Sequence, residues 1–430
     1  MANHIFRSVL FKEFDQTGYP FLGLGFFPAV AIIAAMSDVQ FMRLALRLAR
    51  HGCGATSPNP MVGAVLVKGG QIVGRGWHRR AGLPHAEIEA LRDTQKCGHS
   101  PRGATLYVTL EPCSTHGRTP PCTDAIIAAR IKRVVIGTTD PNPSHAGNGF
   151  KILQHAGIEV IHGILGDECI KLNEAFNHWI IHRTPFVTVK AAMTLDGKIA
   201  TTSGESKWIT GEKARAYGMK LRQGSDAILV GINTILADNP SLTARAGTPS
   251  TVSARTKGGT QLAEAVLGAP KLRRIVLDSM ARTPLDANVV NDDFAALTTI
   301  VVGKSAPKNR IAALAKRVNV IVAPISKSVI RNPQSAIDLR WLLKKLGAES
   351  VMHLLVEGGG EVNASFLLGG FAQRVAFFYA PKILGGRDAR KGVAGDGAKS
   401  LAAALQLREV KWRRLGEDLL LTASVVNGRG

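Results

Sequence analysis

The stretch Thr109-Leu-Glu-Pro-Cys-Ser-Thr-His-Gly-Arg-Thr-Pro-Pro-Cys122, read together with Pro84-His85-Ala86-Glu87, decides the fold of the first half of the chain. Zinc prefers imidazole and thiolate ligands, and a catalytic zinc site takes three of them from the protein and leaves one position for water. His85, Cys113 and Cys122 offer such a set. The stretch therefore predicts a catalytic zinc site.

A carboxylate beside the predicted metal completes the requirements of hydrolytic deamination. Glu87 can take a proton from water and pass it to the leaving ammonia. Pro121 begins a predicted helix, whose dipole would help to keep Cys122 ionised. The alternative is a structural zinc site, for which His116 is a candidate fourth ligand. The order of the motifs, their prolines and the predicted strand between them favour a deaminase.

Helical and strand periodicities alternate from residue 38 onwards, which is typical of an α/β sheet covered by helices. Predicted helices are 38–51, 84–92, one opening at Pro121, and 167–182; predicted strands are 62–67, 71–76, 104–110, 133–138 and 158–164. We expect residues 37–183 to form one domain.

A second α/β domain, residues 184–430, is expected to start near Pro185. Its predicted strands are 186–193, 227–231, 274–278, 299–302, 318–322, 352–356, 374–379 and 419–426, with helices at 213–223 and 338–346. Residues 246–270 are rich in Gly, Ser, Thr and Ala and predict a long surface loop.

A run of three glycines, Gly358 to Gly360, follows the predicted strand that ends at Val356 and precedes a helix expected from about Val362. Glycines let backbone amides approach a phosphate, and a helix N-terminus favours its negative charge. Position 363 is Asn, so the run is not the dinucleotide-binding fingerprint. A tight turn is the alternative to a phosphate site.

The chain is strongly basic, with 54 Lys and Arg against 32 Asp and Glu and a formal charge of +22. Such a charge attracts nucleic acid, anionic membrane or phosphorylated substrates. The basic residues do not alternate with aromatic ones as in a single-strand groove, so we expect a phosphorylated small molecule and no specific nucleic acid or membrane partner. Five cysteines are few and odd in number, which favours a reducing, cytoplasmic location.

Residues 1–36 are treated as an N-terminal extension. The segment 20–36 is mostly apolar, but it is short for a membrane span and is interrupted by glycines and Pro28. A start codon assigned too early, with synthesis beginning at Met36, is one interpretation, and a membrane or export segment is the other.

Several blocks of this chain resemble the bifunctional deaminase–reductases of riboflavin biosynthesis. They are 59–63 (Asn-Pro-Met-Val-Gly), the 84–87 and 109–122 motifs, 140–143 (Asp-Pro-Asn-Pro) with the glycines at 147 and 149, and, in the second half, 190–200, 204–210, 226–240, 242–245 and 356–360. Related nucleic-acid deaminases usually show Pro-Cys-x-x-Cys, whereas eight residues separate Cys113 from Cys122.

The resemblance implies a cytidine-deaminase-like three-layer domain followed by a dihydrofolate-reductase-like α/β domain. It implies deamination of 2,5-diamino-6-(5-phosphoribosylamino)pyrimidin-4-one, then NADPH-dependent reduction of the ribosyl side chain to give 5-amino-6-(5-phosphoribitylamino)uracil. The cofactors it implies are one zinc ion per deaminase domain and NADPH. We also expect the chain to form a homo-oligomer.

Site residues follow from the same resemblance. Cofactor contacts are expected from Ala191, Trp208, Thr234, Asp238, Ser279, Gly359, Gly360, Glu361, Val362, Asn363, Ala364 and Ser365. Substrate contacts are expected from Asn59, Ser206, Arg222, Leu242, Arg245 and Glu357, with His78, His116 and Arg118 as further candidates. Lys190 and Asp196 are candidates for the catalytic acid of the reductase.

Each of these residues has an ordinary structural interpretation. Arg222 and Arg245 suit a phosphate through paired hydrogen bonds, but arginines are most often solvated surface charges. Trp208 is equally compatible with a core position. Two rival functions remain for the whole chain. It could be a deaminase that acts on RNA, or its second domain could be a binding module without catalytic activity.

Overall fold

The computed structural model describes residues 36–116, 120–244, 272–324 and 337–426. Four sets of predictions lie outside these ranges: those for residues 1–35 of the N-terminal extension, for the 246–270 loop, for Arg118 and for Arg245. Residues 37 to 430 form one compact unit, in which the described strands build a five-stranded sheet, a nine-stranded sheet and a short two-stranded one. No helix in the described part of the chain is long and apolar enough to cross a membrane.

The first sheet and its helices are contained in residues 38–182. The strands are β1 (Gly63–Lys68), β2 (Gln71–Trp77), β3 (Thr105–Leu110), β4 (Arg133–Thr138) and β5 (Glu159–His162). The helices are α1 (Asp38–Ala49), α2 (Ala86–Lys96), α3 (Cys122–Ala128), α4 (Asn148–His155), α5 (Gly166–Leu172) and α6 (Glu174–His182), and a 3-10 turn spans Arg50–Gly52. The strand order is β2-β1-β3-β4-β5, with β3, β4 and β5 parallel.

The sheet and helices of residues 38–182 form three layers. Alternate strand residues point to opposite faces of the sheet. On one face, Val65 and Tyr107 belong to the same apolar cluster as Phe41 of α1 and Cys169 of α5. On the other face the apolar strand residues pack against α2, α3 and α4. A Cβ at Gly76 of β2 would lie 2.3 Å from the carbonyl oxygen of Ala86, so only glycine lets α2 lie this close to the sheet.

The second sheet starts at Phe186. Its strands, with the two of the small sheet, are β6 (Phe186–Thr194), β7 (Lys198–Ala200), β8 (Ala227–Gly231), β9 (Arg273–Leu277), β10 (Thr298–Val302), β11 (Asn319–Val322), β12 (His353–Val356), β13 (Arg374–Ala380), β14 (Arg390–Lys391), β15 (Gln406–Leu415) and β16 (Asp418–Val426). The helices are α7 (Glu212–Gln223), α8 (Ile232–Asp238), α9 (Asn288–Asn291), α10 (Lys308–Ala315), α11 (Leu339–Ala348) and α12 (Gly360–Leu368), with 3-10 turns at Ala295–Leu297 and Leu401–Ala403.

The order of the large sheet is β11-β10-β9-β8-β12-β6-β13-β16-β15. The strands from β11 to β13 are parallel to one another, and the hairpin β15–β16 adds two antiparallel strands at one edge. Apolar clusters cover both faces of the parallel part, which explains why its strands read as continuous apolar runs.

The predicted element bounds mostly agree with the structure, and β4 and β8 match residue for residue. Two predictions were wrong, and one long strand was not predicted. The helix expected from Pro84 begins at Ala86, because His85 is its N-cap. The single helix expected over 167–182 is two helices that meet at Asn173. The long strand β15 was missed, because nearly all of its residues are exposed and carry no alternating pattern.

Candidate active site

Three chain segments bring the predicted zinc ligands together. His85 caps α2, Cys122 is the first residue of α3, and Cys113 follows the end of β3. The His85 Nδ1 atom lies 3.5 Å from Cys113 Sγ and 3.3 Å from Cys122 Sγ. Tetrahedral zinc with ordinary bond lengths separates such nitrogen and sulfur ligands by about 3.6 Å. The three side chains therefore fit a zinc ion.

The two thiols also show why a cation belongs between them. Their hydrogen bond lowers the pKa of Cys113 to about 4 and raises the pKa of Cys122. Two thiolates this close repel each other, and a divalent cation lets both ionise. His116 is exposed and lies outside the cluster, so the arrangement leaves the fourth position open, as in catalytic sites.

Glu87 lies in the first turn of α2, two residues after the histidine ligand, and is only 3% exposed. Burial raises the pKa of Glu87 to about 7, although the charge of His85 opposes the rise. A carboxyl group with a pKa near neutrality can both accept and donate a proton.

The predicted substrate residues Asn59 and His78 meet beside the metal ligands. The Asn59 side-chain nitrogen lies 3.0 Å from His78 Nε2, and His78 Nδ1 lies 3.1 Å from the carbonyl oxygen of Pro84. Burial lowers the pKa of His78, so a neutral ring donates to Pro84 and accepts from Asn59. The rings of His78 and His85 are 5.3 Å apart.

Glu111 is a residue of this site whose role the sequence did not reveal. It is 5% exposed and accepts hydrogen bonds from the backbone N–H groups of Asp140, Gly147 and Gly149 at 2.8 to 3.0 Å. These hydrogen bonds hold the 140–149 segment next to the segment that carries Cys113. The motifs of both segments were visible in the sequence, but no local signal showed that they touch.

The same contact brings a second unforeseen side chain to the segment that carries Cys113. His145 Nδ1 lies 3.4 Å from the hydroxyl of Thr115, two residues after Cys113. His116, the neighbouring residue that the sequence suggested, points to an exposed position instead.

In the second half, Glu357 joins two cations at the end of β12. It forms two hydrogen bonds with Arg222 of α7, at 2.8 and 2.9 Å, and lies 3.4 Å from Lys190 Nζ of β6. Burial alone would raise the pKa of Glu357, but the charges of Lys190 and Arg222 lower it to about 2. Arg222 is therefore not a solvated surface charge.

Two other predicted residues of the second half also meet. Ser206 donates to the Asp238 carboxylate at 2.8 Å. Trp208 is 66% exposed, which excludes the core interpretation, and the Arg215 guanidinium stacks on its ring at 4.7 Å.

The glycine run lies where two parallel strands end. Gly359 is the N-cap of α12 and Gly231 is the N-cap of α8, and the strands before them, β12 and β8, are neighbours. A Cβ at Gly359 would meet no atom within 4 Å. The helix N-terminus and the open space beside Gly359 fit a phosphate group.

The remaining predicted residues differ in how accessible they are. Gly360, Asn363 and Ala364 are buried, and the Asn363 amide donates to the carbonyl oxygen of Gly392. Leu242 is 3% exposed, its side chain belongs to the apolar core, and its backbone has a φ of 51°. Ala191 is buried in β6, and Thr234, Glu361, Val362, Ser365 and Ser279 are at least partly exposed.

Asp196 is fixed in its ionised form. A hydrogen bond from Thr194, and others from the N–H groups of Gly385 and Leu384, lower the pKa of Asp196 to about 2. It is therefore a poor proton donor at neutral pH, and of the two candidate acids Lys190 is the better placed.

Comparison with known proteins agrees with this geometry. Residues 36–138 match the cytidine and deoxycytidylate deaminase zinc-binding region, and residues 185–421 match the RibD C-terminal domain. The riboflavin biosynthesis protein RibD of Actinobacillus pleuropneumoniae is 42% identical over 91% of this chain and 96% of its own length. The chain belongs to the RibD family.

Solved RibD structures are similar over the same length. Acinetobacter baumannii RibD (form 1) has a TM-score of 0.74 at 34% identity, covering 90% of this chain and 99% of that one. A diaminohydroxyphosphoribosylaminopyrimidine deaminase/5-amino-6-(5-phosphoribosylamino)uracil reductase from Thermotoga maritima has a TM-score of 0.70 at 36% identity, with the same coverages of 90% and 99%.

This RibD-family chain is a bifunctional riboflavin biosynthesis enzyme, a zinc-dependent deaminase followed by a reductase that uses NADPH. The predicted cytidine-deaminase-like domain and dihydrofolate-reductase-like domain are confirmed. The rival interpretations as an RNA deaminase or as a deaminase with a purely binding second domain are not those of this family.

Proposed function

We propose that the first site removes the amino group at ring carbon 2 of 2,5-diamino-6-(5-phosphoribosylamino)pyrimidin-4-one. The observation that carries this proposal is the buried carboxyl group of Glu87 beside the His85, Cys113 and Cys122 cluster. Those three side chains would hold the zinc ion, which when bound lowers the pKa of a water molecule.

Glu87 performs both proton transfers of the deamination. It accepts a proton from the attacking water and then delivers one to the departing amino group, and a pKa near 7 suits a group that does both. The side-chain N–H of Asn59 donates to His78. The side-chain carbonyl oxygen of Asn59 therefore accepts a hydrogen bond from the pyrimidine.

The second site reduces the ribosyl group of the deaminated product to ribityl. Arg222, Ser206 and Glu357 would bind the phosphoribosyl substrate, together with Arg245 and the backbone at Leu242. NADPH, when bound, supplies the hydride. Lys190, 3.4 Å from Glu357, is the proposed proton donor.

The cofactor would lie across the ends of β8 and β12. The backbone N–H groups around Gly359 hold a phosphate, and the other contacts come from Ala191, Trp208, Thr234, Asp238, Ser279 and the accessible part of 360–365. The exposed indole of Trp208 offers a flat apolar surface for an aromatic ring.

A coupled assay tests both halves of this proposal. Purified, zinc-loaded protein is given the diaminopyrimidine phosphoriboside, and ammonia release and NADPH oxidation are followed. We expect ammonia first and NADPH consumption second, with both lost after zinc is removed and the second restored by adding the deaminated product. Absence of ammonia from zinc-loaded protein would refute the proposed substrate.

The enzyme is further proposed to work in the cytoplasm as a homo-oligomer, without nucleic acid or membrane partners. All five cysteines lie in the described residues and none forms a disulfide, which supports a reducing compartment. The ten-residue edge strand β15 exposes Trp412 and Val410, and an open edge of this kind supports pairing with another subunit. Sedimentation of the purified chain tests the oligomer.

A further inference from the structure

Asn173, at the junction of α5 and α6, binds a segment 112 residues earlier in the chain. Its side-chain oxygen accepts a hydrogen bond from the Met61 N–H, and its side-chain nitrogen donates to the Met61 carbonyl oxygen, both at 2.8 Å. Asn173 is 5% exposed. Its amide therefore fixes both backbone polar groups of Met61, a half-buried residue.

The location of Met61 gives this pair its importance. Met61 is two residues after Asn59, and its neighbour Val62 accepts a hydrogen bond from the backbone N–H of His78. Asn59 in turn contacts the His78 side chain. His78 hydrogen-bonds the carbonyl oxygen of Pro84, the residue before the metal ligand His85. Any displacement of Met61 changes where Asn59 meets the substrate.

A purely local role for Asn173 does not account for these bonds. An asparagine that caps a helix accepts from the N–H groups of its own first turn, and the Asn173 side chain forms no such cap bond with α6. Both of its polar groups serve the Asn59–Met61 segment instead.

The next residue, Glu174, connects the junction to the other half of the enzyme. Glu174 forms a two-pronged ion pair with Arg374, the first residue of β13 in the reductase sheet. The Arg374 guanidinium also lies over the ring of Phe186, at the start of β6, 5.4 Å from its centroid. Both side chains of the pair are about three-quarters buried, so the contact is not an ordinary surface pair.

We propose that Asn173 is a positioning residue for the deaminase substrate, and that the Glu174–Arg374 pair couples the Asn59–Met61 segment to the reductase sheet. This inference rests on the proposed role of Asn59 in substrate binding. Because only one peptide unit separates Asn173 from Glu174, a shift of β13 moves the amide that holds Met61.

Deamination kinetics of Asn173→Ala and Asn173→Asp in the full-length, zinc-loaded chain test the positioning role. We expect the KM for the diaminopyrimidine phosphoriboside to rise about tenfold in Asn173→Ala, because two partly buried hydrogen bonds are lost. The kcat should stay within twofold, and zinc content and reductase kinetics should be unchanged. Asn173→Asp keeps the acceptor for the Met61 N–H but places a carboxylate oxygen against the Met61 carbonyl oxygen, so a rise at least as large as in Asn173→Ala is expected. An unchanged KM, or a loss of zinc and kcat together, would overturn the role.

The coupling is tested with Glu174→Arg, Arg374→Glu and the variant that carries both. Each single change should raise the deaminase KM at least threefold, and the exchanged pair should recover most of it. Arg273→Gln breaks an ion pair of similar exposure within the reductase half and should leave the deaminase KM unchanged. Single changes without effect, or an Arg273→Gln effect of equal size, would overturn the coupling.

Asn59→Ala, assayed in parallel, separates this inference from the function on which it rests. A raised KM in Asn59→Ala with a normal KM in Asn173→Ala would refute the positioning role alone. A normal KM in Asn59→Ala would refute the proposed role of Asn59 and the coupling with it.

Discussion

At the scale of single residues, two buried glutamates have opposite charge states. Burial raises the pKa of Glu87 to about 7, against the opposing charge of His85. Glu357 is held between Lys190 and Arg222, which lower its pKa to about 2. The first is suited to exchange protons, and the second is suited to remain a fixed anion.

Replacing Glu87 with Gln should slow deamination strongly and leave the metal in place. General acid–base catalysis contributes about 10²–10⁴-fold, so we expect kcat to fall about 10³-fold while zinc content, measured by atomic absorption, stays at one per chain. Glu89→Gln on the same helix, which only loses ion pairs with Arg79 and Arg92, is the control. Loss of zinc in Glu87→Gln would contradict the assignment of Glu87 as a proton carrier.

Replacing Glu357 with Gln should destabilise the reductase half by about 3 kcal/mol at pH 7, because two buried cations lose their counter-charge. A depressed carboxyl pKa contributes stability that is fully present above its unfolded value, near 4.5, and is lost as the pH falls to about 2. Urea unfolding at a series of pH values should therefore show the difference from the native chain shrinking only below about pH 4.5.

The control for that series is Glu349→Gln, which breaks pairs with Arg273 and Lys345 that are about one-third exposed and should cost less than about 1 kcal/mol. A Glu357→Gln difference that already shrinks between pH 7 and 5 would show that Glu357 is not held as an anion by its neighbours.

At the scale of elements, the position of α2 controls the metal site, since this helix carries both His85 as its cap and Glu87 in its first turn. Strand β2 allows the close approach through Gly74 and Gly76, where an added Cβ would lie 2.5 and 2.3 Å from the carbonyl oxygens of Ala90 and Ala86. The site thus depends on two residues that touch no ligand.

Gly76→Ala should push α2 outwards, with a cost of about 3 kcal/mol for overpacking against backbone atoms. We expect weaker zinc binding in competition with a chelator and a lower midpoint of the deaminase unfolding transition. Gly166→Ala is the matched control, because its Cβ would meet only the Gly137 carbonyl oxygen at 3.4 Å. Equal zinc affinity in the two variants would show that the packing of α2 on β2 does not set the metal geometry.

At the scale of the whole molecule, α6 precedes the predicted domain boundary at residue 183 but packs on the reductase half. The Trp179 indole donates to the Gly347 carbonyl oxygen at 2.8 Å, and Glu174 pairs with Arg374. In contrast, Asn173 binds Met61 of the deaminase half. Lys171 of α5 also pairs with Glu409 of β15, so the junction of α5 and α6 contacts both halves.

Fragments of the reductase half test where it begins. A fragment of residues 174–430 keeps α6 on its sheet, whereas one of residues 184–430 leaves the Gly347 carbonyl oxygen and Arg374 without these partners. We expect the longer fragment to unfold at a higher temperature, by about 2–4 °C for each kcal/mol regained in a domain of this size. Identical midpoints would favour the boundary near residue 183.

The local part of this structure was predictable from the sequence. Strand and helix periods depend on near neighbours in the chain, so the bounds of β4 and β8 were predicted to the residue. The zinc ligands were predictable because metal chemistry restricts which side chains serve, and because the motifs that carry them are short.

The sequence by itself determined the residue types of the zinc site, the alternation of strands and helices, and the resemblance that implies both reactions. Only the tertiary structure decided the contacts between distant segments: Glu357 with Arg222 and Lys190, Glu111 with the 140–149 segment, and Asn173 with Met61. The break between α5 and α6 was missed as well, and the residue at the break, Asn173, hydrogen-bonds a segment 112 residues earlier in the chain. Such contacts depend on how packed elements meet in space, and no periodicity along the chain encodes that distance.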